Sequence, residues 1–475
     1  MKILFVSSEA MPFIRTGGLG DVAGALPKSF LNLGHDARVI LPFYKEEIKP
    51  AFRDTLRFVG STTVQLGWRQ QYCGVYEAKY DGITYYFVDN EYYFKRKGLY
   101  GHFDDGERFA FFSKAVLEVL KIVDFFPEIL HANDWHTALT PVFLDTHFRG
   151  DERYKNIKTV FTIHNIEFQG KYDTYMLDDV LGLPESARDI VINGGMVNYM
   201  KGGIESSNVV TTVSETYATE ILDPFYSYGL ESILTERQYK VFGVVNGIDT
   251  NLYDPSTDKA LFVNYDKKTV AEKKKENKKA LCEMLNLSYE ENRPMIAMVT
   301  RLTEQKGLDL VSAVIDEVMR ADLQLVILGT GDWKYEALVK RVENDYPNKF
   351  RGILQFSSDL ASKLYGASDI FLMPSKFEPC GLSQLIAMTY GSIPIVRETG
   401  GLKDTVEAYN PDAKTGRGFT FKTYNSYDML DAIWRTYACF HDKDNWSKIV
   451  DNAMSGDYGW EASAKKYIEI YKNIK

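Results

Sequence analysis

Arg301 and Lys306 lie five residues apart in the stretch Arg301-Leu302-Thr303-Glu304-Gln305-Lys306-Gly307. It follows an apolar run and leads into helical periodicity, so both cations sit on one strand-to-helix loop and can meet one diphosphate. Two cations placed there stabilise a departing diphosphate electrostatically. That leaving group is weakly basic and needs no carboxylic acid to protonate it. The chemistry is therefore distinct from a hydrolase built on two close carboxylates. Glu378, in Ser375-Lys376-Phe377-Glu378-Pro379-Cys380-Gly381-Leu382, precedes a proline and a glycine turn. A carboxylate at a helix start can hold sugar hydroxyls, or it can merely complement the helix dipole.

Near the N-terminus, Arg15-Thr16-Gly17-Gly18-Leu19-Gly20-Asp21 follows the apolar run Ile3-Leu4-Phe5-Val6 and the turn-prone Ser7-Ser8-Glu9. Strand, glycine loop and helix can aim backbone N–H groups at an anion, or can be an ordinary glycine turn, and Arg15 adds a forked cation suited to phosphate. The spacing is not G-x-G-x-x-G, so no dinucleotide site is read here. Thr399-Gly400-Gly401-Leu402-Lys403-Asp404 echoes this loop late in the chain. Further polar sets close apolar runs: His131-Ala132-Asn133-Asp134-Trp135-His136, Thr162-Ile163-His164-Asn165 and Asn246-Gly247-Ile248-Asp249. A histidine at such a place can serve chemistry or simply satisfy backbone groups. The histidines do not form H-E-x-x-H, so no zinc is expected. Asp104-Asp105-Gly106-Glu107 fits no calcium loop and reads as a solvent loop or N-cap.

The elements that must position these residues alternate. Short apolar runs such as Ala37–Leu41, Ile83–Val88, Ile129–His131, Thr159–Ile163 and Val209–Val213 read mostly as parallel strands buried on both faces. Phe109–Val123 reads as a helix between two of them. After residue 245 the series restarts, with runs at Met295–Val299, Gln324–Leu328, Gly352–Phe356, Ile370–Met373 and Ile393–Val396. This predicts an α/β chain of two doubly wound, Rossmann-like domains facing a deep cleft, with ligands outside the carboxyl ends of the strands. The expected bounds are 1–242, 243–458 and a C-terminal helix, 459–475, returning to the first domain.

Composition excludes other classes. The net charge of −9 argues against a nucleic-acid partner. The basic cluster of Lys273, Lys274, Lys275, Lys278 and Lys279 alternates with Glu272 and Glu276 and reads as a solvated helix face. The four cysteines are scattered without metal-like spacing, which suggests free thiols. With no charged leader before an apolar segment and no membrane-length apolar run, a cytoplasmic protein without a membrane partner is expected.

In order along the chain, these motifs resemble those of the bacterial glycogen synthase (starch synthase) family, retaining glucosyltransferases of the GT-B type. The resemblance also rests on Asp89-Asn90-Glu91-Tyr92-Tyr93-Phe94, Leu99-Tyr100-Gly101, Asp105-Gly106-Glu107-Arg108-Phe109 and Trp460-Glu461, and it covers essentially the whole length. It implies transfer of glucose from ADP-glucose to the non-reducing end of an α-1,4-glucan, with no metal and no cofactor. The donor would lie on the second domain and the glucan on the first. Arg301 and Lys306 would hold the diphosphate. Glu378 and the backbone of Cys380, Gly381 and Leu382 would hold the glucose, and Phe356 would stack on the base where the family usually has tyrosine. His164 would sit beside the anomeric carbon with Asp134 and Asn246 nearby, and the leaving phosphate would take the acceptor proton. Arg15, Thr16, Gly17, Gly18, Asp21, Tyr93, Asn165, Thr399 and Gly400 complete the implied binding set. Two departures stand out: Arg15 replaces the usual lysine, and Glu378 lacks the second glutamate that related retaining transferases carry along this helix, though this family generally lacks it too. ADP-glucose is favoured over UDP-glucose because the chain is compact and bacterial-like. The alternatives are a GT-B enzyme with a small acceptor or UDP-glucose, and a non-catalytic glucan-binding protein.

Overall fold

The computed structural model describes residues 1–474, which form two compact α/β units. One contains Met1–Asn246 and the final segment from Trp460; the other is Gly247–Gly459.

The first unit is built on a nine-stranded sheet. Its strands are β1 (Lys2–Val6), β2 (Asp36–Pro42), β3 (Arg57–Leu66), β4 (Arg69–Tyr80), β5 (Ile83–Asp89), β6 (Ile129–Asn133), β7 (Lys158–Ile163), β11 (Val209–Thr212) and β12 (Val241–Gly243). A separate small sheet holds β8 (Lys171–Tyr172), β9 (Ile192–Asn193) and β10 (Met196–Asn198). The large sheet runs β12-β11-β7-β6-β1-β2-β5-β4-β3. It is parallel as far as β5, with Lys2 opposite Asp36 and Ile129 opposite Lys158. The long β3–β4 hairpin adds an antiparallel edge that the apolar runs did not announce. Helices cover the sheet because its strands are apolar on both faces. α1 (Gly18–Asn32) and α2 (Asp105–Val123) are two of them.

The second unit has a fully parallel six-stranded sheet: β13 (Met295–Val299), β14 (Gln324–Leu328), β15 (Phe350–Ile353), β16 (Ile370–Met373), β17 (Ile393–Arg397) and β18 (Phe419–Phe421). The order is β15-β14-β13-β16-β17-β18. Among its helices are α3 (Val270–Leu285), α4 (Leu308–Arg320), α5 (Ser383–Thr389) and the short α6 (Gly400–Thr405). The C-terminal α7 (Trp460–Lys472) belongs to the first unit, where Tyr467 and Tyr471 pack on Phe30 of α1. Among the described residues no helix is long and apolar enough to cross a membrane.

The lysine cluster on α3 is not a uniform solvated face. Lys274 is buried, and its Nζ donates to the carbonyls of Tyr365 (2.8 Å), Gly366 (3.2 Å) and Tyr390 (2.9 Å). Burial lowers its pKa to about 7. Lys278 is buried against Asp369 at 2.7 Å, while Lys275 pairs with Glu291 on the surface. The acidic run Asp104–Glu107 is likewise committed. Asp104 pairs with Arg96 at 2.6 Å, Asp105 with the fully buried Arg108, and Glu107 with Arg69 at 3.3 Å.

Candidate active site

In an open parallel sheet, ligands gather where the strand order reverses, outside the strands' carboxyl ends. In the second unit that point lies between β13 and β16. The loop after β13 carries Arg301 and Lys306, and the loop after β16 carries Glu378.

Chain geometry forces these two loops together. Gly307 has φ 76°, and a Cβ there would lie 2.1 Å from the carbonyl oxygen of Pro374, so only glycine permits this approach. The Lys376 N–H donates to Gln305 O at 2.9 Å. The buried Arg397 at the end of β17 donates to the carbonyls of Ser375 (2.9 Å) and Lys376. Lys306 Nζ consequently sits 2.6 Å from Glu378 Oε2, which also accepts from Ser375 Oγ at 3.0 Å. Glu378 is only 6% exposed, so the ammonium compensates a carboxylate that burial would otherwise penalise. Arg301 is exposed, and its guanidinium lies 3.4 Å from Gln305 Oε1. Phe356, past the end of β15, is 85% exposed.

The late glycine loop is not a structural copy of the early one. Thr399 is fully buried, and a Cβ on Gly400 (φ 44°) would lie 1.9 Å from Glu378 O. The Gly401 N–H donates to that same carbonyl at 3.2 Å. The loop therefore supports the Glu378–Cys380 backbone, with Cys380 buried and Gly381 at φ 74° just above it. The early loop is open: Thr16, Gly17 and Gly18 are exposed, and a Cβ on Gly17 would meet nothing within 4 Å.

In the first unit the strand order reverses between β1 and β6. The loop after β1 runs to α1, where Arg15 pairs with Asp21 of the first turn at 2.5 Å. Glu9, which sequence reasoning passed over, anchors this loop. Its buried carboxylate accepts from the Thr16 N–H and from Thr16 Oγ1 at 2.9 Å. Burial pushes Glu9 up to about 7 even though those bonds favour its charged form. Only its position after an apolar strand hinted at a role.

Asp134 follows β6 in a left-handed conformation, φ 57°. Its Oδ1 accepts from the main-chain N–H of His164 (2.8 Å) and of Asn165 (3.4 Å), so it clamps the turn that follows β7. Burial raises Asp134 to about 7. His164 keeps a partly exposed edge, yet the surrounding protein pushes its pKa down to about 3. Asn246 is buried and its Oδ1 has no partner among the described residues. His131 and His136 are core residues. His131 bonds Tyr471 of α7 at 2.6 Å and Thr162 at 2.5 Å, and His136 packs between Trp135 and Tyr100.

Tyr93 stands apart from the expected binding set. It is fully buried, its ring lies 4.9 Å from Phe111, and its hydroxyl donates to Glu107 at 2.5 Å. It supports the motif from inside instead of presenting a surface to a ligand. Among the described residues no group of three or more His, Cys, Asp or Glu is arranged to hold a metal ion.

Two α/β units with cationic and carboxylate side chains at a strand-order reversal are the frame of a nucleotide-sugar glycosyltransferase of the GT-B class. Comparison with known proteins agrees. Residues 2–236 match the starch synthase catalytic domain, and residues 286–449 match glycosyl transferases group 1. A glycogen synthase of Clostridium acetobutylicum is 50% identical over all of both chains, and one of Anoxybacillus flavithermus is 48% identical over 100% of this chain and 98% of its own. The catalytic domain of starch synthase IV from Arabidopsis thaliana, solved bound to ADP and acarbose, superposes with a TM-score of 0.91 at 32% identity, covering 99% of this chain and 98% of that one. A sucrose-phosphate synthase from Thermosynechococcus elongatus shares the fold at 15% identity, with a TM-score of 0.62. The chain belongs to the glycogen synthase family and is a glucosyltransferase.

Proposed function

We propose that the protein transfers glucose from ADP-glucose to the non-reducing end of an α-1,4-glucan, with retention of anomeric configuration. The observation that carries this reading is the Lys306–Glu378 pair at the β13/β16 reversal, with Arg301 exposed on the same loop. Lys306 and Arg301 take the diphosphate and oppose the charge that develops as its bond to the sugar C1 breaks. Glu378 and the backbone of Cys380, Gly381 and Leu382 hold the glucose hydroxyls, supported from below by Thr399 and Gly400. Phe356 stacks on the adenine. In the first unit His164, Asp134, Asn165 and Asn246 serve the sugar, and the loop of Arg15, Thr16, Gly17 and Gly18 serves an anionic group, with Asp21 holding the Arg15 guanidinium. The acceptor hydroxyl oxygen bonds to C1 as the diphosphate leaves, and the diphosphate oxygen takes its proton. The four cysteines form no disulfide among the described residues, which fits a cytoplasmic setting.

The test is incorporation of labelled glucose into glycogen by the purified chain, from ADP-glucose and UDP-glucose in parallel. Preferential incorporation from ADP-glucose is expected. Preference for UDP-glucose would overturn the donor assignment. Incorporation from neither, with donor binding retained, would overturn the acceptor assignment.

A further inference from the structure

The side chain that governs His164 lies one strand away and has no role in the reading above. Asn133 ends β6 and is fully buried. Its Nδ2 lies 3.1 Å from Val6 O and 3.1 Å from His131 O. A carbonyl oxygen only accepts, so the NH2 end of the amide must occupy that side. The oxygen end, Oδ1, is then the atom 2.9 Å from His164 Nε2. An amide oxygen also only accepts, so the hydrogen between them must reside on Nε2. The amide cannot turn over without setting its oxygen against two carbonyl oxygens inside the protein. Its backbone is held as well: the Asn133 N–H donates to Thr137 Oγ1 at 2.6 Å, and that hydroxyl lies 2.8 Å from Asn133 O.

We propose that Asn133 is a positioning residue that holds His164 as the neutral Nε2–H tautomer, so that Nδ1 is a fixed acceptor for a sugar hydroxyl and the ring is not a general acid. The inference rests on the assignment of His164 to the sugar, although the tautomer itself is independent of it. The charged and titratable groups near the ring are consistent with it. Asp134 is engaged with main-chain N–H groups of the turn, and His131 is occupied by Tyr471 and Thr162. Burial of the ring separately disfavours the imidazolium. Because Nδ2 bonds the last residue of β1 and an interior residue of β6, the ring is referenced to the two strands that flank the order reversal.

The experiment is long-range 1H–15N NMR of the full chain labelled with 15N-histidine, the His164 signals being assigned from their loss in His164→Gln. The expected spectrum shows a protonated Nε2 and an unprotonated Nδ1 that do not titrate between pH 6 and 8. A protonated Nδ1, or a ring that titrates in that range, would overturn the proposal. Asn133→Ala removes the acceptor at Nε2 and is expected to release the tautomer, moving both ring 15N shifts toward the averaged values of mixed tautomers. Transfer should fall severalfold, and to the same extent at pH 6 and at pH 8.5. A His164 spectrum unchanged by Asn133→Ala would overturn the proposal. If that variant fails to fold, the parent spectrum alone decides. The expected tautomer in a chain that transfers glucose from neither donor would support this inference while the functional reading fails.

Discussion

Replacing Lys306 with alanine should produce two separable losses, and the structure sets the size of each. The first is stability. Lys306 Nζ lies 2.6 Å from Glu378 Oε2, and Glu378 is buried. Removing the ammonium leaves a buried charge with Ser375 Oγ as its remaining side-chain donor. Breaking a buried pair from one side costs about 3–5 kcal/mol. Both partners are largely but not wholly buried, with side-chain exposures of 17% and 8%, so about 3 kcal/mol is expected. For a unit of this size that lowers Tm by about 6–12 °C. The second loss is turnover. One group opposing developing charge contributes about 10²–10³ in kcat. The two losses part in a double substitution. Lys306→Ala with Glu378→Met removes the stranded charge and should recover most of the stability by calorimetry. Turnover at saturating ADP-glucose should stay at or below that of the single variant. A Lys306→Ala protein within threefold of parental kcat would remove the lysine from the diphosphate. Turnover that returned along with stability in the double variant would reduce it to a structural partner of Glu378.

Other perturbations test single contacts. Phe356→Ala should raise the KM for ADP-glucose about tenfold, since base–aromatic stacking contributes about 1–3 kcal/mol, while Tm stays unchanged because the ring is 85% exposed. Phe356→Tyr should be near parental, and equal KM values in all three proteins would end the stacking assignment. Arg15→Lys keeps a cation for Asp21 but loses the fork, so donor KM should change by less than about tenfold in parallel assays with ADP- and UDP-glucose. A thousandfold loss would show that the guanidinium geometry is essential. Glu9, raised to about 7 by burial, binds its proton more tightly folded than unfolded. Its contribution is therefore fully present below its unfolded pKa near 4.5 and is lost as pH rises toward 7, by about 3 kcal/mol in all. Other groups also titrate in this range, so the quantity to measure is the difference between Tm at pH 5 and at pH 7.5, in the parent and in Glu9→Gln. An identical difference in both proteins would contradict the raised pKa.

The parallel strands were legible because burial on both faces leaves an unbroken apolar run, and strand ends can then be read from the first polar residues. β3 and β4 escaped for the complementary reason: half-exposed edge strands such as Arg57–Leu66 carry polar and threonine residues that resemble loop. The site residues divide the same way. Lys306 and Glu378 were identifiable by type at strand ends. Glu9, Asn133 and Arg397 were not, because each acts through the particular group it faces, and that pairing exists only after folding. Lys274 shows how far this goes, since three carbonyls separate it from its solvated neighbours and nothing in its spacing does. Strand order is the remaining piece. The motifs said which residues end strands, but not that β1 neighbours β6 or that β13 neighbours β16. Those two adjacencies turn scattered polar sets into paired loops. Glu9 and Asp134 end up at one reversal, and Lys306 and Glu378 at the other. In both units the loop ends contain a carboxylate, buried at Glu378 and half-buried at Asp134, whose partners come from the facing loop or a main-chain turn, Lys306 for Glu378 and the Asn165 turn for Asp134. Substitutions at these loop contacts should therefore disturb the site before they disturb the sheet, whose apolar strands do not depend on them.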